Sequence, residues 1–532
     1  MHEFFKPLRA YLTLFLITLL FRLATALPLE QAGYMDAAYT IHVAENLARG
    51  HGLVEYVLWN YLDNPAGLPH PSNLYWMPLP SLLIAPFFAL FGVSYRAAQI
   101  PSIILSSFLP LFAFYLARRI LGRDDYAWAA GLFTAFSGFY TIYWISPDNF
   151  TPFALTASIC LYLIARGVET KSARYFFVAG VLAALAHLSR ADGLFLLAIP
   201  PIALFVNKPT RSLKYCLLFT VYCLLGYLLF MSPWFLRNYL TVGTPYPSAG
   251  TKTLWLTNYD ELFRYADDLT WQRYLAWGIG NIIGSKLFAL GQNLLIVTFG
   301  ALQVFLVPFA IIGVWQLRRR VEILPFLVYA TLLLLAMSFV FTFPSTRGSM
   351  LHSSSALLPF LAAAVPIGVD SVIQWIARRR RTWRAAQASL VFRAGFIMLA
   401  IFLSVFLYAQ GVFPLNNSSN KIALWNQRDI EFVSVAKWLD QNARADDMVM
   451  TVDPPSFYNV SHRRAIAVPT DSVDAIFLAA QRYGARYLIL QLDHPAPLND
   501  LYHERVNIPR LVRVAEMHDG LGQPVTLFEI VP

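Results

Sequence analysis

The side chains in this 532-residue chain best suited to chemistry are two aspartates and a small set of arginines at the ends of long apolar runs. Asp36 lies in Tyr34-Met35-Asp36-Ala37-Ala38-Tyr39, and Asp148 in Ser146-Pro147-Asp148-Asn149. Arg190 and Asp192 share His187-Leu188-Ser189-Arg190-Ala191-Asp192-Gly193. Arg237 follows Pro233-Trp234-Phe235-Leu236, and Arg347 and His352 fall in Thr346-Arg347-Gly348-Ser349-Met350-Leu351-His352. Charged groups in or beside apolar spans are costly, so each is a functional candidate. A carboxylate can take a proton, and a guanidinium fork can hold an anion by paired hydrogen bonds. Together they suit an anionic substrate whose charge is held while a neighbouring carboxylate removes a proton. Each also has a plainer reading. Asp36 and Asp148 suit helix N-caps, Arg190 and Asp192 can neutralise each other, and the remaining arginines can snorkel to an interface.

The elements that position these residues are membrane spans. Apolar residues make up 57% of the chain and charged ones only 14%, against roughly 25% charged in a soluble domain. That surplus must face lipid. A crossing takes about 20 mostly apolar residues, and roughly eleven candidates follow one another: 10–27, 97–117, 126–145, 150–166, 175–189, 193–206, 215–234, 287–316, 323–342, 355–376 and 394–411. Leu79–Phe91, short and bounded by proline, reads as a helix at the interface. Alternate connections carry Lys6 and Arg9; Arg118, Arg119 and Arg123; Arg166, Lys171 and Arg174; Lys208, Arg211 and Lys214; Arg318 to Arg320; and Arg378 to Arg381 with Arg384 and Arg393. The positive-inside rule makes that side cytoplasmic. It also accounts for the net charge of +10 without a nucleic-acid partner. The long loops 28–95 and 235–286 then lie outside, at a cell membrane, with every candidate residue named above. Ala24-Thr25-Ala26 offers a signal-peptidase site, although an uncleaved first span is the preferred reading. The three cysteines all sit in apolar runs and imply no disulfide framework.

The pattern changes after Gly411. A helix over Glu431–Asn442, strands at Asp447–Val452 and Arg464–Val468, a helix from Ser472 to Tyr483, and strands at Tyr487–Leu490, Leu511–Glu516 and Val525–Val531 are expected. Residues 412–532 therefore read as a small extracytoplasmic α/β domain appended to a transmembrane part, 1–411. Its role, acceptor recognition or packing on the membrane part, stays open.

On the residues just named the chain resembles the GT-C superfamily of polyprenyl-phosphate-sugar-dependent glycosyltransferases. The branch of protein O-mannosyltransferases and aminoarabinose lipid A transferases is the nearest. The resemblance rests on Asp36-Ala37-Ala38-Tyr39 with Ala44, Asn46-Leu47-Ala48 and Gly50-His51-Gly52. Met77-Pro78-Leu79-Pro80, Phe91-Gly92-Val93-Ser94 with Arg96, Asp148, Leu188 to Gly193 and Pro233-Trp234 to Asn238 follow in the expected order. The doubled proline of that branch is broken here by Leu79, and Arg190 stands where some relatives carry lysine. The resemblance implies transfer of one sugar from a lipid-phosphate donor to a hydroxyl of a protein, lipid or glycan, with inversion. Asp36 would be the base and Asp148 a second acid that orients a substrate. Arg190, Arg237, Arg347 and His352 would hold the donor phosphate. Some members of the superfamily use a divalent metal, but no convincing ligand set stands out; His42 and Glu45, three apart on one helical face, come nearest. Trp59, Tyr75 and Trp76 could stack on sugar, with an interfacial aromatic belt as the plainer reading. A transporter or flippase of lipid-linked sugars is the alternative, set back by the absence of an internal repeat.

Overall fold

The computed structural model describes residues 2–265, 269–340, 349–380, 382–413, 424–427 and 429–531. The first nine helices of eight residues or more are α1 (His2–Ala26), α2 (Met35–Ala48), α3 (Leu79–Phe91), α4 (Tyr95–Leu121), α5 (Asp124–Ala135), α6 (Phe150–Thr170), α7 (Ala173–Ser189), α8 (Ile199–Val206) and α9 (Leu213–Val242). Long helices at Ile279–Ile296, Leu358–Arg379 and Ala385–Val412 follow, with shorter ones at Val307–Leu317 and Leu324–Phe339. Among the described residues, seven helices are long and apolar enough to cross a membrane. The chain is a polytopic membrane protein.

Five of the expected spans are broken or too short for a full crossing. The run 126–145 is helical only to Ala135. A 3₁₀ turn at Gly138–Thr141 follows, and Gly138 has φ +59°. The carbonyl freed at Phe136 accepts from Gln303 Nε2 at 2.6 Å, so that acceptor is not left bare in the apolar layer. Residues 193–206 begin as a 3₁₀ helix, Ala191–Ala198, and become α-helical at Ile199 beside Pro200 and Pro201. The run 287–316 carries a π-helical turn at Val297–Ala301 before resuming at Val307. α7 and Leu324–Phe339 are regular but have only 17 and 16 residues.

Ion pairs bring three of the basic connections together at one end of the bundle. Arg119 pairs with Glu169 at 3.3 Å, and Arg393 pairs with Asp370 and Asp125 at 2.7 Å each. Asp36, Asp148, Arg190 and His352 gather at the other end. Between the ends, helices touch through glycines. A Cβ on Gly180 of α7 would overlap the carbonyl oxygen of Cys223 in α9, and one on Gly226 of α9 would overlap that of Phe177 in α7. Such reciprocal small-residue contacts let backbones approach closely where lipid gives no hydrophobic drive for helix pairing.

The C-terminal domain holds a six-stranded sheet. Strands Ala465–Ala467, Met448–Thr451 and Ala485–Leu490 run parallel at its centre, and Pro524–Ile530 and Leu511–His518 close one edge antiparallel. The other edge is not C-terminal at all. Val57–Leu58 of the first long loop pairs in parallel with Ala465–Ile466. A helix at Pro454–Ser461, begun by prolines at positions that need no N–H, lies along α2. Asn459 Nδ2 donates to the Ala38 carbonyl at 2.9 Å, and the Tyr458 ring meets His42 at 4.2 Å. The domain thus clamps the loop that carries Asp36.

Candidate active site

Asp36 is the second residue of α2. The cap position belongs to Tyr34, which is extended and makes no side-chain cap bond. Asp36 is therefore not an N-cap, and its carboxyl group is left to face a cavity of about 270 Å³. That cavity is lined also by Arg190, His352, Tyr75, Trp76 and Tyr259. Burial raises the pKa of Asp36 well above the usual carboxylate range, the nearby Asp148 raises it further, and Arg190 opposes both.

Asp148 sits behind this wall, just before α6, and it too caps nothing: Asn149 holds the cap position. One carboxylate oxygen accepts from the Asn149 backbone N–H and the other from the Tyr34 hydroxyl at 3.0 Å. Burial again raises its pKa, while those two hydrogen bonds and Arg190 stabilise the charged form. Tyr34, adjacent to the start of α2, thereby ties the first-loop acid to the second.

Arg190 ends α7, where the chain turns back on itself. The turn needs Gly193, because a Cβ there would lie 2.5 Å from the His187 backbone nitrogen. Arg190 Nε donates to Asp192 at 3.2 Å and Nη1 to Asn149 Oδ1 at 3.2 Å. Its neutralisation by Asp192 is thus real, but it orients the guanidinium rather than consuming it, since Nη2 has no protein partner among the described residues. Asp192 is braced in turn by the Ser353 hydroxyl.

His352 Nδ1 lies 2.8 Å from the same Asn149 Oδ1, and its ring stacks on Phe150 at 4.1 Å. An oxygen that already accepts from arginine accepts from the imidazole too, which places the ring proton on Nδ1 and leaves Nε2 bare. In that tautomer His352 offers a lone pair at Nε2 rather than a proton. Asp36, Asp148 and His352 each present one ligand atom within 4.8 Å of the others. Among the described residues those three form a group that could hold a metal. His42 Nε2 accepts from the Tyr56 N–H at 3.0 Å, and Glu45 pairs with Arg49 at 2.6 Å.

Arg237 does not reach the cavity. Its Nη1 donates to Asn238 Oδ1 at 3.0 Å and its Nη2 to the Leu53 carbonyl at 2.9 Å, so the fork ties α9 to the first loop. Arg347 lies outside the described residues. Trp59, Tyr75 and Trp76 form a cavity wall instead of an interfacial belt, with the two indoles stacked at 3.9 Å and Tyr75 edge-on to Trp59 at 4.9 Å. Asn149, the hub between Arg190 and His352, escaped the sequence reading. Its signal was position alone, an amide beside Asp148 at a polar turn. Gly250, Thr253 and Tyr259 of the second long loop also line the cavity and carry no motif.

Residues 69–236 match the model of the family described as dolichyl-phosphate-mannose-protein mannosyltransferase. No curated protein sequence matches the chain. Among solved structures, the chain is similar to ArnT from Cupriavidus metallidurans bound to undecaprenyl phosphate, with 12% identity over 97% of this chain and 98% of that one and a TM-score of 0.60. It is also similar to the oligosaccharyltransferase AglB from Archaeoglobus fulgidus, in complex with an inhibitory peptide and a dolichol-phosphate. There the identity is 12%, over 97% of this chain and 74% of that one, with a TM-score of 0.59. At such identities the likeness is one of fold. The expected resemblance to GT-C glycosyltransferases is borne out, in fold along nearly the whole chain and in sequence over 69–236. The family matched over 69–236 is one of mannosyltransferases, which favours the enzyme over the transporter.

Proposed function

We propose that the chain moves one sugar from a polyprenyl-phosphate donor to an acceptor hydroxyl, with inversion, Asp36 acting as base and Arg190 as the phosphate clamp. The observation that carries this reading is the placing of Asp36 and Arg190 in one aromatic-walled cavity. Arg190 is held by Asp192 and Asn149 with one guanidinium edge open. The donor's carrier follows from what ArnT and AglB are shown with, undecaprenyl phosphate and dolichol-phosphate.

In this reading the acceptor O–H gives its proton to the Asp36 carboxylate as its oxygen bonds the anomeric carbon. The bond from that carbon to the phosphate oxygen breaks, and its electron pair leaves with the polyprenyl phosphate. The Arg190 edge meets the charge developing on that oxygen, where a fixed donor in a partly dry site counts for more than in water. A carboxylate at the acceptor typically contributes about 10²–10⁴ in rate. Asp148, held by Tyr34 and Asn149, keeps negative charge beside Asp36 and so raises its proton affinity. A divalent cation on Asp148, His352 and one Asp36 oxygen would supply further positive charge at the donor phosphate and leave the other Asp36 oxygen to take the proton. The acceptor is a hydroxyl of a protein, a membrane lipid or a glycan; the peptide on AglB favours protein. The basic end faces the cytoplasm by the positive-inside rule, which sets the site on the outer face of the cell membrane.

The test is to incubate purified protein with a polyprenyl-phosphate sugar and candidate acceptors. Release of free polyprenyl phosphate with a product of inverted anomeric configuration is expected. A retained configuration would remove the single displacement, and no release with any acceptor would remove the transferase.

A further inference from the structure

At the end of the bundle opposite Asp36 lies a polar cavity of about 470 Å³. It is walled by the end of α4, the start of α5 and the helices Val307–Leu317 and Leu358–Arg379. Tyr126, Gln316, Arg320, Asp370, Ser371 and Gln374 supply its polar lining. Gln316 also borders a second space, an apolar groove of about 740 Å³ between Val307–Leu317 and Leu324–Phe339. Ile311, Trp315, Phe326 and Leu327 line that groove, and Arg318 lies at its basic end.

The arginines beside these two spaces are not equivalent. Arg318 donates to the Trp315 carbonyl and stacks on the Trp315 ring at 3.9 Å. Arg379 stacks on Trp375 at the same distance, 3.9 Å. Both indoles are exposed, and exposed tryptophans beside arginines mark the depth at which hydrocarbon gives way to headgroups. Asp370, the one acid lining the polar cavity among the described residues, is already committed. It accepts from Arg393 at 2.7 and 2.8 Å and from the Tyr126 hydroxyl. Arg320 is exposed, and no side-chain hydrogen bond or ion pair reaches it among the described residues. Gln374 is exposed too and adds a free amide. Ile367, Ser371 and Gln374 share one helical face, and Arg378, one turn beyond Gln374, continues it.

We propose that the two spaces together hold one anionic phospholipid of the cytoplasmic leaflet, with its phosphate on Arg320, its headgroup hydroxyls on Gln374 and an acyl chain along the groove. A guanidinium with no protein partner at headgroup depth takes a phosphate by paired hydrogen bonds. A basic pocket between spans on the cytoplasmic side suits an anionic headgroup. The groove takes the chain, and each methylene it covers adds to the affinity. Because the spaces meet at Gln316, the ligand that fills both is polar at one end and apolar over a long stretch. A soluble phosphate leaves the groove unused, and a zwitterionic lipid brings a cation of its own to a basic surface. The site lies at the far end of the bundle from Asp36, so its failure would leave the glycosyl-transfer reading untouched.

The experiment is lipid binding to the purified, delipidated full-length protein, read by native mass spectrometry as the apparent Kd of the first bound lipid. The probes are a phosphatidylglycerol, a phosphatidylcholine with the same chains, and glycerol phosphate with no chains. Wild type should bind the phosphatidylglycerol about tenfold tighter than the phosphatidylcholine, the scale of one hydrogen bond to a charged group. Glycerol phosphate should bind more weakly than either. Arg320→Gln should lower phosphatidylglycerol affinity by about tenfold. Arg319→Gln, the same loss of charge at a neighbour that lines neither space, should leave it within a few-fold. Thr331→Phe fills the groove from an exposed position without touching a charge, and should weaken both lipids alike. Thermal melts check that each variant is folded. Equal wild-type affinities for the two lipids overturn the proposal, as does full affinity in Arg320→Gln or in Thr331→Phe. Equal losses in Arg319→Gln and Arg320→Gln would overturn it in favour of a general attraction to a basic surface. Glycerol phosphate bound as tightly as the lipid would overturn it in favour of a plain phosphate site.

Discussion

Arg190→Ala removes the group that this account places on the leaving phosphate, and the structure sets the size of the effect. The guanidinium has two protein partners, Asp192 and Asn149, each at 3.2 Å, and one edge left for substrate. A hydrogen bond to a charged group is worth about 1.5–3 kcal/mol, and 1.4 kcal/mol is a factor of ten. Donor affinity or turnover should therefore fall by about tenfold to a hundredfold. The same substitution strips Asp192, a carboxylate only 8% exposed, of its cation and leaves it the Ser353 hydroxyl. A lower melting temperature is expected as well, and it must be separated from the loss at the donor. Arg190→Lys keeps the charge and loses the fork, so it should be hurt less than Arg190→Ala. Asp192→Asn keeps the guanidinium but loosens it, and should cost less in donor affinity than in melting temperature. The assay is donor binding and turnover beside a thermal melt for each variant. Wild-type donor affinity in a well-folded Arg190→Ala would refute the phosphate clamp and leave Arg190 a structural partner of Asp192.

Activity should rise with pH along a limb whose midpoint lies well above the roughly 3.9 of an ordinary aspartate, because burial and Asp148 hold the proton on Asp36; a flat profile from pH 5 to 9 removes that base. The raised folded pKa has a stability counterpart. The contribution of Asp36 is fully present below the unfolded value and lost as pH rises through the folded one. Asp36→Asn should therefore melt no lower than wild type at pH 8. Gly180→Ala should destabilise by roughly 1–3 kcal/mol, the cost of overpacking, since its Cβ meets the Cys223 backbone; an unchanged melting temperature in detergent would contradict the close α7–α9 contact. Reporters fused after Arg320 and after Asn442 should give opposite topology signals, and like signals would overturn the outer placement of the C-terminal domain.

Much of this was legible in the sequence because a bilayer forbids bare backbone and charge. The apolar runs, their alternating basic connections and the acids at the opposite end follow from that constraint. What could not be read is how far each long side chain is already committed. Arg190 and Arg237 look alike in the sequence, each near a span end. The structure separates them, because the fork of Arg237 is filled by Asn238 and the Leu53 carbonyl. The cap reading of Asp36 failed on two residues of register, with Tyr34 taking the position. The break after Ala135 depends on Gln303, 167 residues away in sequence, a partner that no local pattern announces. The helix Pro454–Ser461 has no counterpart in the sequence reading; it is only eight residues long, and its paired prolines sit in the first turn, where they start a helix. Nor does any pattern in Val57-Leu58 reveal that it completes a sheet built some 400 residues later.

The central claim is that Asp36 takes the proton from the acceptor hydroxyl, and Asp36→Asn tests it most directly. The amide has nearly the same shape, the residue makes no cap bond that the change would disturb, and only the ability to accept a proton is lost. The measurement is the rate of sugar transfer by purified, membrane-reconstituted Asp36→Asn against wild type, at saturating donor and with matched melting temperatures. This account predicts a fall of about 10²–10⁴ in rate with donor affinity held within a few-fold. Transfer within a few-fold of the wild-type rate would contradict it.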